Sequence, residues 1–300
     1  MKKYFFLFCA SISMDIHAQI QQNINKPSGM VSNAISGIDS IRFNTAGDEM
    51  QVVLQNGQVE LHQIIEIDSV TFATTPNPLA HSCGADSVHN PALTYGSMTD
   101  QEGNVYKTIV IGSQEWMAEN LNTGIYRNGE AIANVIDNNE WSILTSGAWC
   151  YFNNESSIQC PYGKLYNWYA VNDSRNICPV GWHVPTDDEW STMINVLDPN
   201  ADGGNNTPNT AGSKMKSIGL LYYLEGNQDA TNESGFSGLP GGNRSISGLF
   251  STFFGRYGNW WSSTSDGTFA YYRNVYYNPG DVDRSSNLLG TGFSVRCLRD

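Results

Sequence analysis

Cys178-Pro179-Val180-Gly181-Trp182-His183-Val184-Pro185-Thr186-Asp187-Asp188-Glu189-Trp190, running on to Leu197, is the stretch from which the fold can be read. Pro185 restricts Val184 to extended geometry, so Trp182 and Val184 belong to a strand that ends there. Thr186 then stands at a helix N-cap with Glu189 three residues on, the spacing of a capping box. Asp187 and Asp188 place negative charge on the first helical turn, where the macrodipole favours it. Trp190, Met193, Ile194 and Leu197 follow at i, i+3, i+4 and i+7 and form one apolar face. A cysteine-anchored strand therefore feeds an amphipathic helix, and the rest of the chain reads as cover for it. His183 alternates to the strand face opposite Trp182 and Val184 and reads as a hydrogen-bonded structural histidine.

Further short motifs flank this one in order: Asp100-Gln101-Glu102-Gly103-Asn104-Val105-Tyr106, Ile111-Gly112-Ser113-Gln114-Glu115-Trp116-Met117-Ala118-Glu119-Asn120-Leu121 and Tyr162-Gly163-Lys164-Leu165-Tyr166-Asn167-Trp168. After the helix come Ser234-Gly235-Phe236-Ser237-Gly238-Leu239-Pro240-Gly241-Gly242, Trp260-Trp261-Ser262-Ser263 and Gly292-Phe293-Ser294-Val295-Arg296-Cys297. Together with Cys-Pro-x-Gly-Trp-His-Val-Pro-Thr-x-x-Glu-Trp, this set resembles the Fibrobacter succinogenes major paralogous domain. That family comprises secreted and surface bacterial modules related to the C-type-lectin-like fold. The resemblance implies an α+β, C-type-lectin-like domain, loop-rich, with short antiparallel strands and few helices. It also supports a disulfide between Cys178 and Cys297, and it carries no reaction with it. On the chain-entropy model such a closure contributes about 4–5 kcal/mol.

Lys2 and Lys3 precede the apolar run Tyr4 to Ala10, and Ala18 before Gln19 is a cleavage position, so residues 1–18 read as a signal peptide. Residues 19–75 read as a small β-rich segment of three or four strands, with 19–37 polar and unpatterned. The segment contains a repeat, Ile38-Asp39-Ser40-Ile41-Arg42-Phe43 and Ile67-Asp68-Ser69-Val70-Thr71-Phe72. Between the copies, Asn56-Gly57 inside an alternating run signals a hairpin. About 40 residues bury little surface alone, so this segment is expected to act as a joint or tether. Residues 76–80, with Pro76 and Pro78, read as an extended linker to a main domain over 81–300.

The formal charge of −13 and the absence of Lys/Arg clusters argue against nucleic acid as a partner. Only 15% of residues are charged, while Gly, Asn, Ser, Tyr and Trp abound, a composition suited to an extracellular, loop-rich domain. No later run is long and apolar enough to span a bilayer, so the expected product is secreted or held at the cell surface. Export makes disulfides the default for the cysteines. Cys150 and Cys160 are spaced for a local loop, and Cys83 is left as a free thiol or an intermolecular partner.

Asp198-Pro199-Asn200-Ala201-Asp202-Gly203 matches the first half of a calcium loop, making Asp198, Asn200 and Asp202 candidate calcium ligands. Position twelve is Asn209 in place of the bidentate Glu, and a plain helix-ending turn fits the same residues. No other cofactor is indicated. Trp116 and Met117 are expected in the core, and the aromatic run Tyr162, Tyr166, Trp168, Tyr169 fits either core packing or a sugar-stacking platform. Gly241-Gly242 demand unusual backbone angles or close chain approach. Strands are expected at 259–263, 268–272, 275–277 and 293–298, with Asp281, Asp283 and Arg284 in a solvated connecting turn. The hydrolase and phosphate-loop motifs are absent, and formylglycine-generating enzymes, which share a related fold, have a cysteine pattern that finds no matching positions here. Paired carboxylates for glycan cleavage leave no local signature in a sequence. The expected function is a non-catalytic binding or adhesion module for a glycan or surface protein, held by loops between Gly204 and Asp283. A structural, self-associating surface component is the alternative, and a glycan-active or formylglycine-generating-enzyme-like enzyme is third.

Overall fold

The computed structural model describes residues 86–300 except 206, 207, 225, 228 and 279, together with six strands nearer the N-terminus. The expected signal peptide, the 76–80 linker and Cys83 lie outside the described residues. The chain divides into two compact units, Met1–Pro78 and Leu79–Asp300.

The first unit contains β1 (Ile20–Lys26), β2 (Gly29–Ala34), β3 (Ile38–Phe43), β4 (Glu49–Leu54), β5 (Val59–Gln63) and β6 (Ser69–Thr74). They form two antiparallel three-stranded sheets, β2-β1-β6 and β3-β4-β5. Six strands exceed the three or four expected, because β1 and β2 arise from the polar stretch that shows no apolar alternation. Backbone pairing holds them in register, Ile24 opposite Val31 and Asn23 opposite Thr71. The two copies of the repeat supply β3 and β6, each at the edge of a different sheet. The Asn56-Gly57 signal falls between β4 and β5, which pair antiparallel with Val53 opposite Val59.

In the second unit the elements run β7 (Gly96–Thr99), β8 (Val105–Ile111), β9 (Gln114–Met117), β10 (Ala133–Asn134), α1 (Asn138–Ser142), β11 (Ala148–Cys150), α2 (Gln159–Tyr162) and β12 (Leu165–Tyr166). Next come α3 (Trp168–Val171), β13 (Trp182–His183), α4 (Asp187–Leu197), α5 (Ala211–Met215), β14 (Tyr257–Ser265), β15 (Phe269–Tyr276), β16 (Val282–Leu288) and β17 (Leu298–Arg299). This is an α+β fold with a few short helices. The strands assemble as β13-β17-β9-β8-β7, β14-β15-β16 and β10-β11-β12, antiparallel except where β10 meets β11. Among the described residues no helix is long and apolar enough to cross a membrane.

α4 begins as its sequence requires. The Thr186 side chain accepts from the Glu189 N–H, and the Glu189 carboxylate accepts from the Thr186 N–H at 2.7 Å. Trp190, Met193 and Ile194 are fully buried, and Leu197 packs beside them. Trp190 meets Trp116 with ring centroids 4.7 Å apart, and Phe236 and Trp260 complete the aromatic group. Trp116 and Met117 are core residues, as expected. The aromatic run divides: Tyr166 and Trp168 are buried, while Tyr162 and Tyr169 are half-buried. A second cluster surrounds the Cys178–Cys297 disulfide and includes Tyr166, Trp261 and Phe293.

Three expectations need correction. Cys150 and Cys160 do not form a local disulfide: Cys150 is a buried free thiol, and Cys160 is disulfide-bonded elsewhere. Cys150 sits on β11 and faces a third core cluster with Trp141, Phe152 and Leu165, whereas Cys160 is exposed at the surface. Ten residues of separation therefore leave one cysteine in the core and the other at the surface. Asp283 and Arg284 belong to β16, not to a solvated turn, and pair across to Asn274 and Arg273 on β15. Arg284 Nε donates to Asp187 Oδ2 at 2.8 Å, and Asp187 also receives the buried Arg273 at 2.5 Å. A polar strand is stabilised here by a tertiary ion network, which outweighs weak intrinsic strand propensity. The separate expected strands at 268–272 and 275–277 are one strand, β15.

Candidate functional site

Three loops converge on an open cleft of about 750 Å³. The first is Ile136 to Asn139, where β10 passes into α1. The second is Asn153 to Glu155, just after β11, and the third is Ser247 to Phe250 in the long Gly/Ser-rich region. Asp137 caps α1, its Oδ1 accepting from the Glu140 N–H at 2.9 Å. Asn153 and Asn154 both adopt left-handed backbone, with φ of 51° and 59°. That conformation costs most L-residues about 1–2 kcal/mol, and asparagine is among the residues that tolerate it. Asn154 Nδ2 then donates to the Ile136 carbonyl at 3.0 Å and joins the first two walls. Gly248 has φ of 83°, and a Cβ there would lie 2.4 Å from the Asn138 carbonyl oxygen, so only glycine lets the third wall close on the first.

Arg244, fully buried, staples the walls together. Its Nε donates to Gly248 O at 2.8 Å, Nη1 to Val135 O at 2.6 Å, and Nη2 to both Ile136 O and Asn138 Oδ1 at 3.0 Å. The guanidinium lies over the Trp141 ring at 4.4 Å and the Phe250 ring at 4.9 Å. A planar fork with five donors serves carbonyls in several directions at once, which a lysine ammonium cannot do. Among the described residues Arg244 makes no ion pair, so carbonyl dipoles and ring faces carry its charge. Burial pushes the nearby Cys150 thiol up to about 12, against a smaller opposing pull from Arg244.

What remains at the mouth is a set of free hydrogen-bonding groups. The side chains of Asn139, Asn153 and Glu155 are exposed and, among the described residues, make no hydrogen bond, and the second Asp137 oxygen likewise has no donor there. Phe250 supplies a half-buried ring at one wall and starts a chain of aromatic contacts. Phe250 to Phe152 is 5.3 Å between centroids, Phe152 to Phe254 4.5 Å, Phe254 to Tyr162 4.7 Å and Tyr162 to Tyr222 6.1 Å. Gly242, at φ 64°, makes this packing possible, since a Cβ there would meet the Phe152 ring at 2.9 Å. Apart from Tyr162, none of these side chains lies in a stretch that reads from sequence as a sugar-stacking run. The Asn153-Asn154 pair, two adjacent residues able to take left-handed backbone, is the signal that could have found the second wall.

The residues flagged from sequence lie elsewhere. Asp198 caps the end of α4: its Oδ1 accepts from the Asn200 N–H at 3.0 Å, and its Oδ2 accepts from the Thr210 N–H and hydroxyl at 2.8 and 3.0 Å. These bonds hold the Asp198 carboxyl below its usual range. Asp202 follows with left-handed φ of 46°. Among the described residues no group of three or more His, Cys, Asp or Glu gathers as a metal site. His183 sits between two carboxylates, Nδ1 at 2.6 Å from Asp300 and Nε2 at 3.0 Å from Glu189. Burial lowers its pKa, but the hydrogen bonds to Asp300 and Glu189 outweigh burial and the net shift is upward.

One constellation is visible only in three dimensions. His89 Nε2 lies 3.2 Å from Glu119 Oε1, and His89 Nδ1 lies 3.2 Å from Ser237 Oγ, an order of groups like that of acyl-transfer triads. Ser237 has φ of 56° and no exposed surface, and Asn232 Nδ2 donates to its hydroxyl at 3.0 Å. The hydroxyl is thus sealed in the core, where this network ties the 86–90 segment to the 232–237 loop. Burial lowers the His89 pKa despite Glu119.

Comparison with curated proteins and with solved structures returned no match. The family model described as the Fibrobacter succinogenes major domain matches residues 109–299, which include α4 with its capping box, both cysteines of the Cys178–Cys297 bridge and all three walls of the cleft. The chain belongs to the Fibrobacter succinogenes major domain family.

Proposed function

We propose that this protein is an exported, non-catalytic binding module with a C-type-lectin-like scaffold, and that it holds a glycan, free or borne on a surface protein, in the amide-lined cleft. The observation that carries this reading is the cleft itself, where uncommitted amides and carboxylates stand beside an exposed-edge phenylalanine. Sugar hydroxyls need several directional donors and acceptors, and sugar C–H faces need an aromatic surface. The test is a glycan and matrix-protein array on the exported protein, with calcium and again with chelator. Binding lost in Asn153→Gly, which removes the amide and keeps the backbone relaxed, supports the cleft. A hit unaffected by that variant moves the site away from it, and a chelator-sensitive hit brings Asp198, Asn200 and Asp202 back as the calcium site.

A structural role is the second reading, and one surface favours it. Leu220, Leu221 and Leu224, 61%, 70% and 68% exposed, sit together in the 219–224 loop. Contiguous exposed aliphatics of this kind mark contact surfaces more often than free surface. Concentration-dependent self-association by sedimentation, with silence on the array, replaces the first reading with this one.

A further inference from the structure

We infer that the ligand of the cleft carries no negative charge: the site takes neutral, hydroxyl-rich hexose chains and rejects uronate, sialylated and sulfated ones. The inference rests on the cleft reading above and adds the ligand class. It follows from the charges that line the site. Asp137 and Glu155 are exposed in two of the walls, and no Lys, Arg or His is among the lining residues. The Arg244 guanidinium is fully buried and donates to Gly248 O, Val135 O, Ile136 O and Asn138 Oδ1. An incoming anion therefore meets two carboxylates and, among the residues that line the cleft, no cation to pair with. A hydroxyl, by contrast, donates to those carboxylates in charge-assisted bonds about twice as strong as neutral ones. The free amides of Asn139 and Asn153 supply both donors and acceptors for the remaining hydroxyls. The formal charge of −13 on the whole chain adds long-range repulsion of the same sign.

The experiment compares matched pairs that differ only at C6: galactose, glucose and mannose oligomers against galacturonate, glucuronate and mannuronate oligomers of equal length. Titration calorimetry at low and at physiological salt measures each affinity. In whichever hexose series binds, the uronate partner is expected to bind at least tenfold more weakly, about 1.4 kcal/mol, with the gap shrinking as salt screens the carboxylates. The double variant Asp137→Asn, Glu155→Gln keeps the α1 cap, because asparagine caps as well as aspartate. It is expected to weaken hexose binding and to bring the two members of a pair within about twofold of each other. Uronate binding equal to or tighter than hexose binding, and lost in Asn153→Gly, overturns the ligand class while leaving the cleft as a binding site. Silence from both members of all pairs overturns the cleft reading and this inference with it.

Discussion

Replacing Arg244 by methionine tests whether the cleft is held by the buried guanidinium. The magnitude follows from what each acceptor has left. Ile136 O keeps Asn154 Nδ2 at 3.0 Å, and Asn138 is exposed, so water replaces the lost donors there. Val135 O and Gly248 O belong to buried residues and receive no other donor among the described residues. A hydrogen bond to a charged group is worth about 1.5–3 kcal/mol net of desolvation, so the two together give roughly 3–6 kcal/mol. Methionine keeps an apolar side chain against Trp141 and Phe250, while the cation–π contacts of the guanidinium are lost with its charge. Equilibrium urea unfolding followed by tryptophan fluorescence reads the difference, with the m-value unchanged. Arg244→Lys is expected to recover less than half of the loss, since a point ammonium cannot serve several carbonyls on two loops at once. A loss below about 1 kcal/mol for methionine, or full recovery by lysine, refutes the stapling argument.

Other outcomes follow from local geometry. Thr186→Ala is expected to cost about 1 kcal/mol through the lost cap, and Glu189→Ala more, because Glu189 also binds His183; equal melting temperatures for both variants and wild type would remove the capping box from the account. The His183 pKa is raised in the folded state, so its stabilisation is fully present below the unfolded value of about 6.5 and disappears as pH rises through the folded value. Glu189 is opposed by burial, but bonds from Thr186 and His183 lower its pKa, so its contribution is present above about 4.5 and is lost as pH falls. His183→Asn should therefore differ most from wild type between about pH 4.5 and 6.5 in urea melts, and a difference that grows toward pH 9 contradicts this. The Cys178–Cys297 bridge spans 119 residues, and the Cys178→Ala, Cys297→Ala double variant is expected to lose about 4–5 kcal/mol. In the native protein, iodoacetamide should leave Cys150 unmodified, and peptide mapping that finds Cys150 alkylated before unfolding disproves its burial.

The residues that sequence placed well act over short spans. Thr186 and Glu189 read as a capping box because both partners lie within one turn, and the box forms. Trp190, Met193 and Ile194 read as a core face because helical periodicity needs only a few turns, and all three are buried. The misplaced residues depend on partners far away. Val282–Leu288 has the composition of a turn, and it becomes a strand because β15 offers a full register of backbone partners and Asp187 draws in Arg284. Cys150 and Cys160 have the spacing of a loop-closing pair, and burial separates them.

By itself the sequence determined the capped helix, its apolar face, the strand that leads into it and, through ordered motifs, the family. These depend on spacings of a few residues and on side chains that bond their own backbone. The cleft is different in kind. Its walls, Ile136–Asn139, Asn153–Glu155 and Ser247–Phe250, come from distant parts of the chain and meet because one buried arginine satisfies carbonyls on two of them. The same holds for His89, Glu119 and Ser237, which share a hydrogen-bond chain across 148 residues. No periodicity records such a meeting, because each segment is locally an ordinary polar loop, and only closure of the fold decides which of its groups are spent and which stay free.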